Sequence, residues 1–165
     1  MLGLLAAIAL APWTQPLAFS PLAGWQTGAS GTVKSAYVGH GQRVRVPKES
    51  AAWIARNVRY RSPATEDPPN TTLRHLRRNS VIVWAVIFQG VPRGQKRVRA
   101  DLEHAKHFAC CEAEYVPGGL YEMTGTGPGG AYSVIIRVFF GSPVTPALRA
   151  QAQRALNRLQ LPPSR

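Results

Sequence analysis

Two histidines and two cysteines lie within the eight residues HAKHFACC, at positions 104–111. Imidazole nitrogens and thiolates are common zinc ligands. In a helix, His104, His107 and Cys111 would share a face at i, i+3 and i+7, whereas a strand would separate His104 from the other two. These three residues are weak metal candidates, because the sequence shows no second ligand pair with C-x-x-C or H-x-x-x-H spacing. We therefore expect no metal and no other cofactor.

Cys110 and Cys111 are adjacent, and the chain has two cysteines in all. Their Cα atoms lie about 3.8 Å apart across a trans peptide, below the usual disulfide range of roughly 4.4–6.8 Å. A vicinal disulfide between them would be strained and readily reduced. The alternatives are two small buried thiols, which we favour, or a disulfide between chains. A thiol- or metal-dependent protein using His104, His107, Cys110 and Cys111 is the alternative function.

The chain is strongly basic, with 20 Lys and Arg residues against 8 Asp and Glu residues. No acid lies between Asp67 and Asp101. Such a surplus favours an anionic partner, although GC-rich coding and solubility also account for it. The candidate anion-binding residues are Arg74, Arg77, Arg78, Arg93, Lys96, Arg97 and Arg99. Because they flank residues 80–88, we expect the two groups to meet at one end of a sheet.

The N-terminus has no charged residue before Lys34. Residues 1–11 form an apolar run as long as the h-region of a signal peptide, but shorter than the ~20 residues that span a bilayer. We therefore predict export to the cell envelope or the extracellular space. The predicted organisation is a signal-peptide-like segment over 1–23, with membrane contact limited to it, and a single domain over 24–165.

The strongest predicted element is the strand SVIVWAVIF, residues 80–88. Both of its alternating sets of side chains are apolar, so it must be covered on both faces near the centre of a sheet. Residues 32–38 and 42–46 predict short strands around a Gly-His-Gly turn. Residues 97–102 alternate charged and apolar side chains, which is typical of a half-exposed strand.

Two helices are predicted to cover the sheet. In KESAAWIARNV, residues 48–58, apolar side chains at helical spacing predict an early helix that begins after Pro47. In the C-terminal segment, Thr145 is the expected N-cap and Pro146 the first helical residue. Its apolar stripe is Leu148, Ala152, Ala155, Leu156 and Leu159, ending before Pro162. The predicted class is α+β, a mostly antiparallel sheet covered by an early helix and a C-terminal amphipathic helix.

The succession NSVIVWAVIFQG, CCEAEYV, AYSVIIRVFFGS and TPALRAQAQRALNRLQL resembles small exported proteins of high-GC bacteria whose function is not assigned. The resemblance covers about residues 24–161. In layout, the early helix, the meandering sheet and the closing helix are similar to the PsbP-like α/β/α sandwich. The resemblance implies a fold, and it implies no catalytic residue.

Catalytic motifs are missing from the sequence. Residues 125–130 match G-x-G-x-x-G, but a strand pattern follows them, so they predict a hairpin turn rather than a nucleotide site. No G-x-S-x-G nucleophile motif occurs. We predict a non-enzymatic exported domain that binds anionic envelope material or a protein partner. Nucleic acid is disfavoured, since no recognition motif accompanies the basic residues, and the oligomeric state stays open.

Overall fold

The fold is built on a six-stranded antiparallel sheet. The structure is a computed structural model and describes residues 17–33, 36–39, 42–45, 49–60, 70–88, 91, 93–108 and 115–163. The strands are β1 (Ala18–Phe19), β2 (Gln26–Val33), β3 (Ala36–Gly39), β4 (Gln42–Arg45), β5 (Glu49–Arg56), β6 (Val81–Phe88), β7 (Lys106–Phe108), β8 (Leu120–Thr126), β9 (Ser133–Phe140) and β10 (Leu159–Gln160), and the helices are α1 (Asn70–Arg74) and α2 (Pro146–Leu156). The large sheet has the order β2-β5-β6-β9-β8-β7, beside the pairs β1-β10 and β3-β4.

The predicted central strand is confirmed as β6. It pairs along its whole length with β5 on one side and with β9 on the other. Its alternating side chains enter two separate cores, with Val83 and Ile87 in one and Ile82 and Trp84 in the other. Both faces of β6 are therefore covered, as a strand that is apolar on both sides requires.

The early helix predicted over 48–58 is wrong, because this segment forms β5 between β2 and β6. The run AAWIA, residues 51–55, is apolar at every position, so it fits helical spacing and a two-face strand equally well. The segment forms a strand because it pairs with β2 on one side and with β6 on the other. Ile54 enters one core while Trp53 enters the other. The predicted helix start at Pro47 lies outside the described residues.

The C-terminal helix α2 covers one face of the sheet. The Thr145 hydroxyl caps it by accepting a hydrogen bond from the Leu148 N–H at 3.1 Å, and Pro146 begins it, as predicted. The helix ends at Leu156, earlier than expected, because Leu159 already belongs to β10, which pairs with β1. We call this side the α2 face; its core includes Leu17, Phe19, Ile54, Val83, Ile87, Val138, Leu148, Ala152, Ala155 and Leu156.

The short helix α1 covers the opposite face. Leu73 and Leu76 pack there against a more aromatic core, in which the rings of Trp53 and Tyr60 meet edge-on with centroids 4.6 Å apart. We call this side the α1 face; its core includes Ala51, Trp53, Ala55, Tyr60, Leu73, Leu76, Ile82, Trp84, Val86, Val116, Leu120 and Phe139.

Both predicted hairpins are confirmed. β3 pairs with β4, although β3 begins at Ala36 and the residues before it belong to β2. β8 pairs with β9 across the glycine-rich turn, where the Gly127 N–H donates to the Tyr132 carbonyl at 3.0 Å. The turn interpretation of the G-x-G-x-x-G match therefore holds.

The strand predicted over 97–102 is wrong, since this segment makes one isolated bridge, from Arg97 to Thr126. Its backbone bonds instead to a side chain of α2. The Leu102 N–H donates to Gln153 Oε1 at 2.8 Å, and Gln153 Nε2 donates to the Ala100 carbonyl at 3.0 Å. The expected alternation of burial is present at its start, because Val98 is buried between the exposed Arg97 and Arg99.

The predicted α+β class, with a mostly antiparallel sheet, is confirmed. Leu17 and Phe19 fall within the predicted N-terminal segment 1–23, yet they are buried in the α2 face. The residues before Leu17 lie outside the described part of the chain, so their role in export stays a prediction. Among the described helices, neither is long and apolar enough to span a bilayer.

Candidate anion-binding site

An open cavity lies at the end of the sheet where β5 ends and where β2 and β6 begin. Its volume is about 560 Å³, a size common among small-molecule sites, which span roughly 300–1,000 Å³. The lining residues are Gly24, Gln26, Ala55, Asn57, Val58, Arg59, Thr72, His75 and Arg77. They come from the start of β2, from the end of β5 and the residues after it, and from α1 and the turn behind it.

Three basic side chains line this cavity, namely Arg59, His75 and Arg77, and all three are exposed. The ion pairs of the described residues lie elsewhere, one across β8 and β9 and one in the loop before β7. Within the described ranges, no carboxylate forms an ion pair with either arginine of the cavity. Among the described residues, the charged side chains that line the cavity are therefore all basic.

Neutral groups complete the lining. Gln26, Asn57 and Thr72 supply amide and hydroxyl hydrogen-bonding groups, while Ala55 is fully buried and Val58 is half-buried. The polar groups can donate hydrogen bonds to oxygen atoms of a ligand.

Two asparagines in left-handed conformations hold the walls together. Asn57 has φ 56° and Asn79 has φ 62°, a conformation that asparagine adopts more readily than most residues. Asn57 Nδ2 donates to the Asn79 carbonyl at 3.0 Å, and Ser80 Oγ donates to the Asn57 carbonyl at 2.9 Å. These bonds join the turn after β5, which leads to Arg59, to the turn before β6, which follows Arg77.

The end of β9 supports the backbone of Arg77. The Ser80 N–H donates to the Arg77 carbonyl at 3.0 Å, and the Gly141 N–H donates to the Ser80 carbonyl at 2.9 Å. A Cβ atom at position 141 would fall on the carbonyl oxygen of Arg77. Glycine is needed there because only its missing side chain permits this close approach. The turn that carries Arg77 is thereby attached to the two central strands.

This arrangement is suited to binding an oxyanion. Each guanidinium presents N–H donors in a planar fork that matches phosphate or carboxylate, and the imidazole adds a further donor. Among the nine lining residues, none is a carboxylate or a cysteine, and Thr72 supplies the one hydroxyl.

The seven predicted anion-binding residues fall into two groups at opposite ends of β6. Arg74, Arg77 and Arg78 precede the strand, and Arg93, Lys96, Arg97 and Arg99 follow it. The later group reaches the far end of β8, where the Thr126 N–H donates to the Lys96 carbonyl at 2.9 Å. The expectation that both groups meet at one end is wrong, because a strand of this length, about 25 Å, separates them.

Of the earlier group, Arg77 lines the cavity and Arg74 does not. The Arg74 guanidinium lies 4.1 Å from the centroid of the Tyr115 ring, a cation–π contact. Tyr115 is 40% exposed. An exposed aromatic ring therefore lies beside this basic segment, although the basic stretch of the sequence itself contains none.

The two histidines of HAKHFACC have different partners. His104 Nδ1 lies 2.8 Å from Asp101 Oδ2, whereas His107 lies in β7 with its ring centroid 5.2 Å from that of Tyr121. The Glu103 N–H donates to the Asp101 carboxylate at 3.0 Å and, with His104, lowers the pKa of that exposed group. The helical alternative is wrong through residue 108, since a turn and then a strand occupy this part.

Cys110 and Cys111 lie outside the described residues, so the vicinal disulfide, the buried thiols and the interchain disulfide all stay predictions. In the part of the chain that the structure describes, no three His, Cys, Asp or Glu side chains are grouped closely enough to hold a metal ion. The weak metal candidates His104, His107 and Cys111 thus gain no further ligand from the described residues.

Sequence analysis missed Arg59 and His75. Arg59 follows the segment that was predicted as a helix, and it approaches Arg77 only because β5 and β6 pair in antiparallel register. His75 lies within the run RHLRR, residues 74–78, whose basic character was the available signal. Its neighbours at 73 and 76 are buried in the α1 face, which leaves the basic residues at the surface.

Comparisons with known proteins supply no relative. A scan against protein-family models finds no matching family, and searches of curated proteins and of solved structures find no match either. The resemblance to small exported proteins and to the PsbP-like layout therefore stays a prediction.

Proposed function

We propose that this protein is a non-enzymatic binding domain for a phosphate-bearing anion, which it holds in the cavity between Arg59, His75 and Arg77. The observation that carries the proposal is the convergence of basic side chains from two segments, Arg59 after β5 and His75 with Arg77 after α1, in a cavity with no carboxylate among its lining residues. Two arginines that share a concave surface repel each other, and an anion between them relieves that repulsion.

We also propose that the protein is exported and that its ligand belongs to the cell envelope. The apolar run of residues 1–11 supports export, and the surplus of basic residues supports an anionic envelope component such as a phosphate-containing polymer or headgroup. Fractionation of cells that express the full chain tests the location; recovery of the protein wholly in the cytoplasm would contradict export.

Calorimetric titration of the full chain with pyrophosphate tests the binding function. We expect binding at low salt that weakens as salt rises, because the contacts are charged and solvent-accessible. The double variant Arg59→Gln/Arg77→Gln should lose at least about tenfold in affinity, since it removes two charge-assisted contacts.

Arg154→Gln is the control, and it removes one positive charge where the double variant removes two. Arg154 is exposed on α2, on the opposite side of the sheet, so the substitution also removes positive charge but leaves the cavity intact. The control should bind pyrophosphate within about twofold of the wild type if only screened long-range attraction is lost. Equal losses in the control and the double variant would show that net charge, and not this cavity, attracts the anion.

A further inference from the structure

We infer that the ligand of the cavity is an extended polyanion, which places one phosphate in the cavity and crosses α1 to a second contact at Arg74. This inference rests on the proposed function and specifies its ligand class. Three observations carry it: the different directions of successive side chains over residues 72–76, the position of Arg74 over Tyr115, and the density of basic residues at 74–78 that have no carboxylate partner among the described residues.

Successive residues of α1 and of the segment that follows it point in three directions. Thr72 and His75, three residues apart, line the cavity. Leu73 and Leu76 are buried in the α1 face. Arg74 points in neither direction and contacts Tyr115. Since a helix with its side chains is about 10–12 Å across, the cavity and the Arg74 contact are separated by roughly the width of one helix.

Arg74 is held in position before any ligand arrives. Its guanidinium lies over the Tyr115 ring, 4.1 Å from the centroid, and both side chains are exposed. Stacking on an aromatic ring leaves the edge of a guanidinium free to donate hydrogen bonds. A guanidinium that is already positioned loses less conformational freedom when it binds an oxyanion, so it is an effective anchor.

The positive charge over residues 74–78 is not balanced by the described part of the protein. Arg74, the last residue of α1, and Arg77 and Arg78 in the segment after it lie within five residues of the chain, so their like charges repel each other. Among the described residues none of the three has a carboxylate partner, since the ion pairs involve Asp101 and Glu122. A small anion in the cavity neutralises Arg77, whereas a longer polyanion also reaches Arg74.

The recognised part of the ligand is its charged backbone. Tyr115 is the aromatic side chain found beside the basic segment, and one face of its ring is already taken by Arg74. Single-strand binding proteins stack successive nucleobases on a row of free aromatic side chains. The described residues show no such row here. We therefore infer that the ligand is a linear polyphosphate-type polymer. The test below includes a nucleic acid as the competing ligand.

The test compares pyrophosphate with long-chain inorganic polyphosphate at equal phosphate concentration and equal salt. Wild-type protein should bind the long chain more tightly. Arg74→Gln should lower affinity for the long chain about tenfold, the loss typical of one charge-assisted contact, and leave pyrophosphate affinity unchanged. It should also reduce the salt dependence of long-chain binding by a slope of about 0.7, the value for one phosphate contact on a flexible strand.

Two substitutions at Tyr115, together with the control Arg154→Gln, separate a positioning role of Tyr115 from a general effect of positive charge. Tyr115→Phe keeps the ring under Arg74 and should bind the long chain as the wild type does, whereas Tyr115→Ala should weaken long-chain binding alone. Arg154→Gln, on the opposite face, should change long-chain binding less than Arg74→Gln does. Both substituted α1-side residues are exposed, so circular dichroism should show an unchanged fold.

The outcomes are distinct. Equal weakening of pyrophosphate and long-chain binding by Arg74→Gln, or no effect on either, overturns the inference and leaves the cavity function standing. No binding of either phosphate by wild-type protein at low salt overturns both. Tighter binding of a single-stranded oligonucleotide than of polyphosphate with the same number of phosphates overturns recognition through the backbone alone.

Discussion

The two faces of the sheet are covered in different ways. On the α2 face, an eleven-residue helix with a complete N-cap buries Leu148, Ala152 and Leu156 against the strands. On the α1 face, a five-residue helix and irregular segments cover an aromatic core, and the cavity opens beside them. The long helix contributes burial, whereas the short helix leaves basic side chains at the surface. Both faces bury a core, but the proposed binding site lies on the α1 side of the sheet alone.

The largest expected effect tests whether the α2 face serves stability alone. Leu148, on the buried side of α2, is 2% exposed. Leu148→Ala should lower the free energy of unfolding by about 2–5 kcal/mol, because it removes buried methyl groups and leaves a cavity. Urea denaturation measures the loss, and pyrophosphate affinity of the folded variant should be unchanged. A weaker pyrophosphate affinity in a fully folded variant would show that the α2 face also influences binding.

A second effect on the α2 face appears at high pH. Burial raises the pKa of Tyr132 to about 12, against an opposing influence of Arg97. Because the folded pKa exceeds the ordinary value of about 10, the neutral phenol stabilises the folded state below pH 10, and this contribution, about 3 kcal/mol, is lost between pH 10 and about 12. Tyr132→Phe should lack this part of the pH dependence in unfolding measurements.

The same variant has a smaller effect at neutral pH. The Tyr132 hydroxyl donates to the Pro162 carbonyl at 2.6 Å, so Tyr132→Phe should cost about 1 kcal/mol at pH 7. If wild type and variant instead lose stability in parallel above pH 10, Tyr132 is not the group responsible.

Gly141→Ala tests the α1 side of the sheet, where one substitution should affect both stability and anion binding. The added Cβ would fall on the Arg77 carbonyl oxygen, so the turn must move, at a cost of about 1–3 kcal/mol. Pyrophosphate affinity should fall because Arg77 is displaced. Gly130→Ala is the control: its φ of 70° strains alanine, but nothing lies near the new Cβ, so stability should fall and binding persist.

The smallest expected effect concerns Asp101, in the exposed loop that Gln153 attaches to α2. The hydrogen bond from the Glu103 N–H, followed by that with His104, lowers its pKa. A carboxyl whose folded pKa is lowered stabilises the fold above its unfolded pKa of about 4 and loses this contribution as pH falls through the folded value. Asp101→Asn should therefore lower Tm slightly at pH 7, and the difference from wild type should shrink towards pH 2. A difference that persists unchanged would contradict this assignment.

The sequence predicted those elements whose local pattern allows one solution. SVIVWAVIF had to be covered on both faces, and Thr145 with Pro146 marks a helix start by its own hydrogen bonding. In contrast, AAWIA at 51–55 satisfies both a helix and a buried strand, so local periodicity could not decide. The strand arises from pairing with residues far along the chain.

The candidate site was only partly predictable for the same reason. Arg77 belongs to a visibly basic run, and it was identified. Arg59 becomes its neighbour through the antiparallel pairing of β5 with β6 and through the bond from Asn57 to Asn79. No local property of Arg59 encodes that approach, because it depends on register and on two left-handed turns.

The tryptophans under α1 give the molecule its own optical reporter. Trp53 and Trp84 are 8% and 3% exposed, and they share a core with Leu73 and Leu76 of the segment that carries His75 and Arg77. Among the described residues, Trp84 Nε1 has no hydrogen-bond partner, and the indole is shielded from water, which favours emission at short wavelength. Any displacement of α1 that admits water would shift this emission, so a movement of α1 on anion binding would be detected without a label.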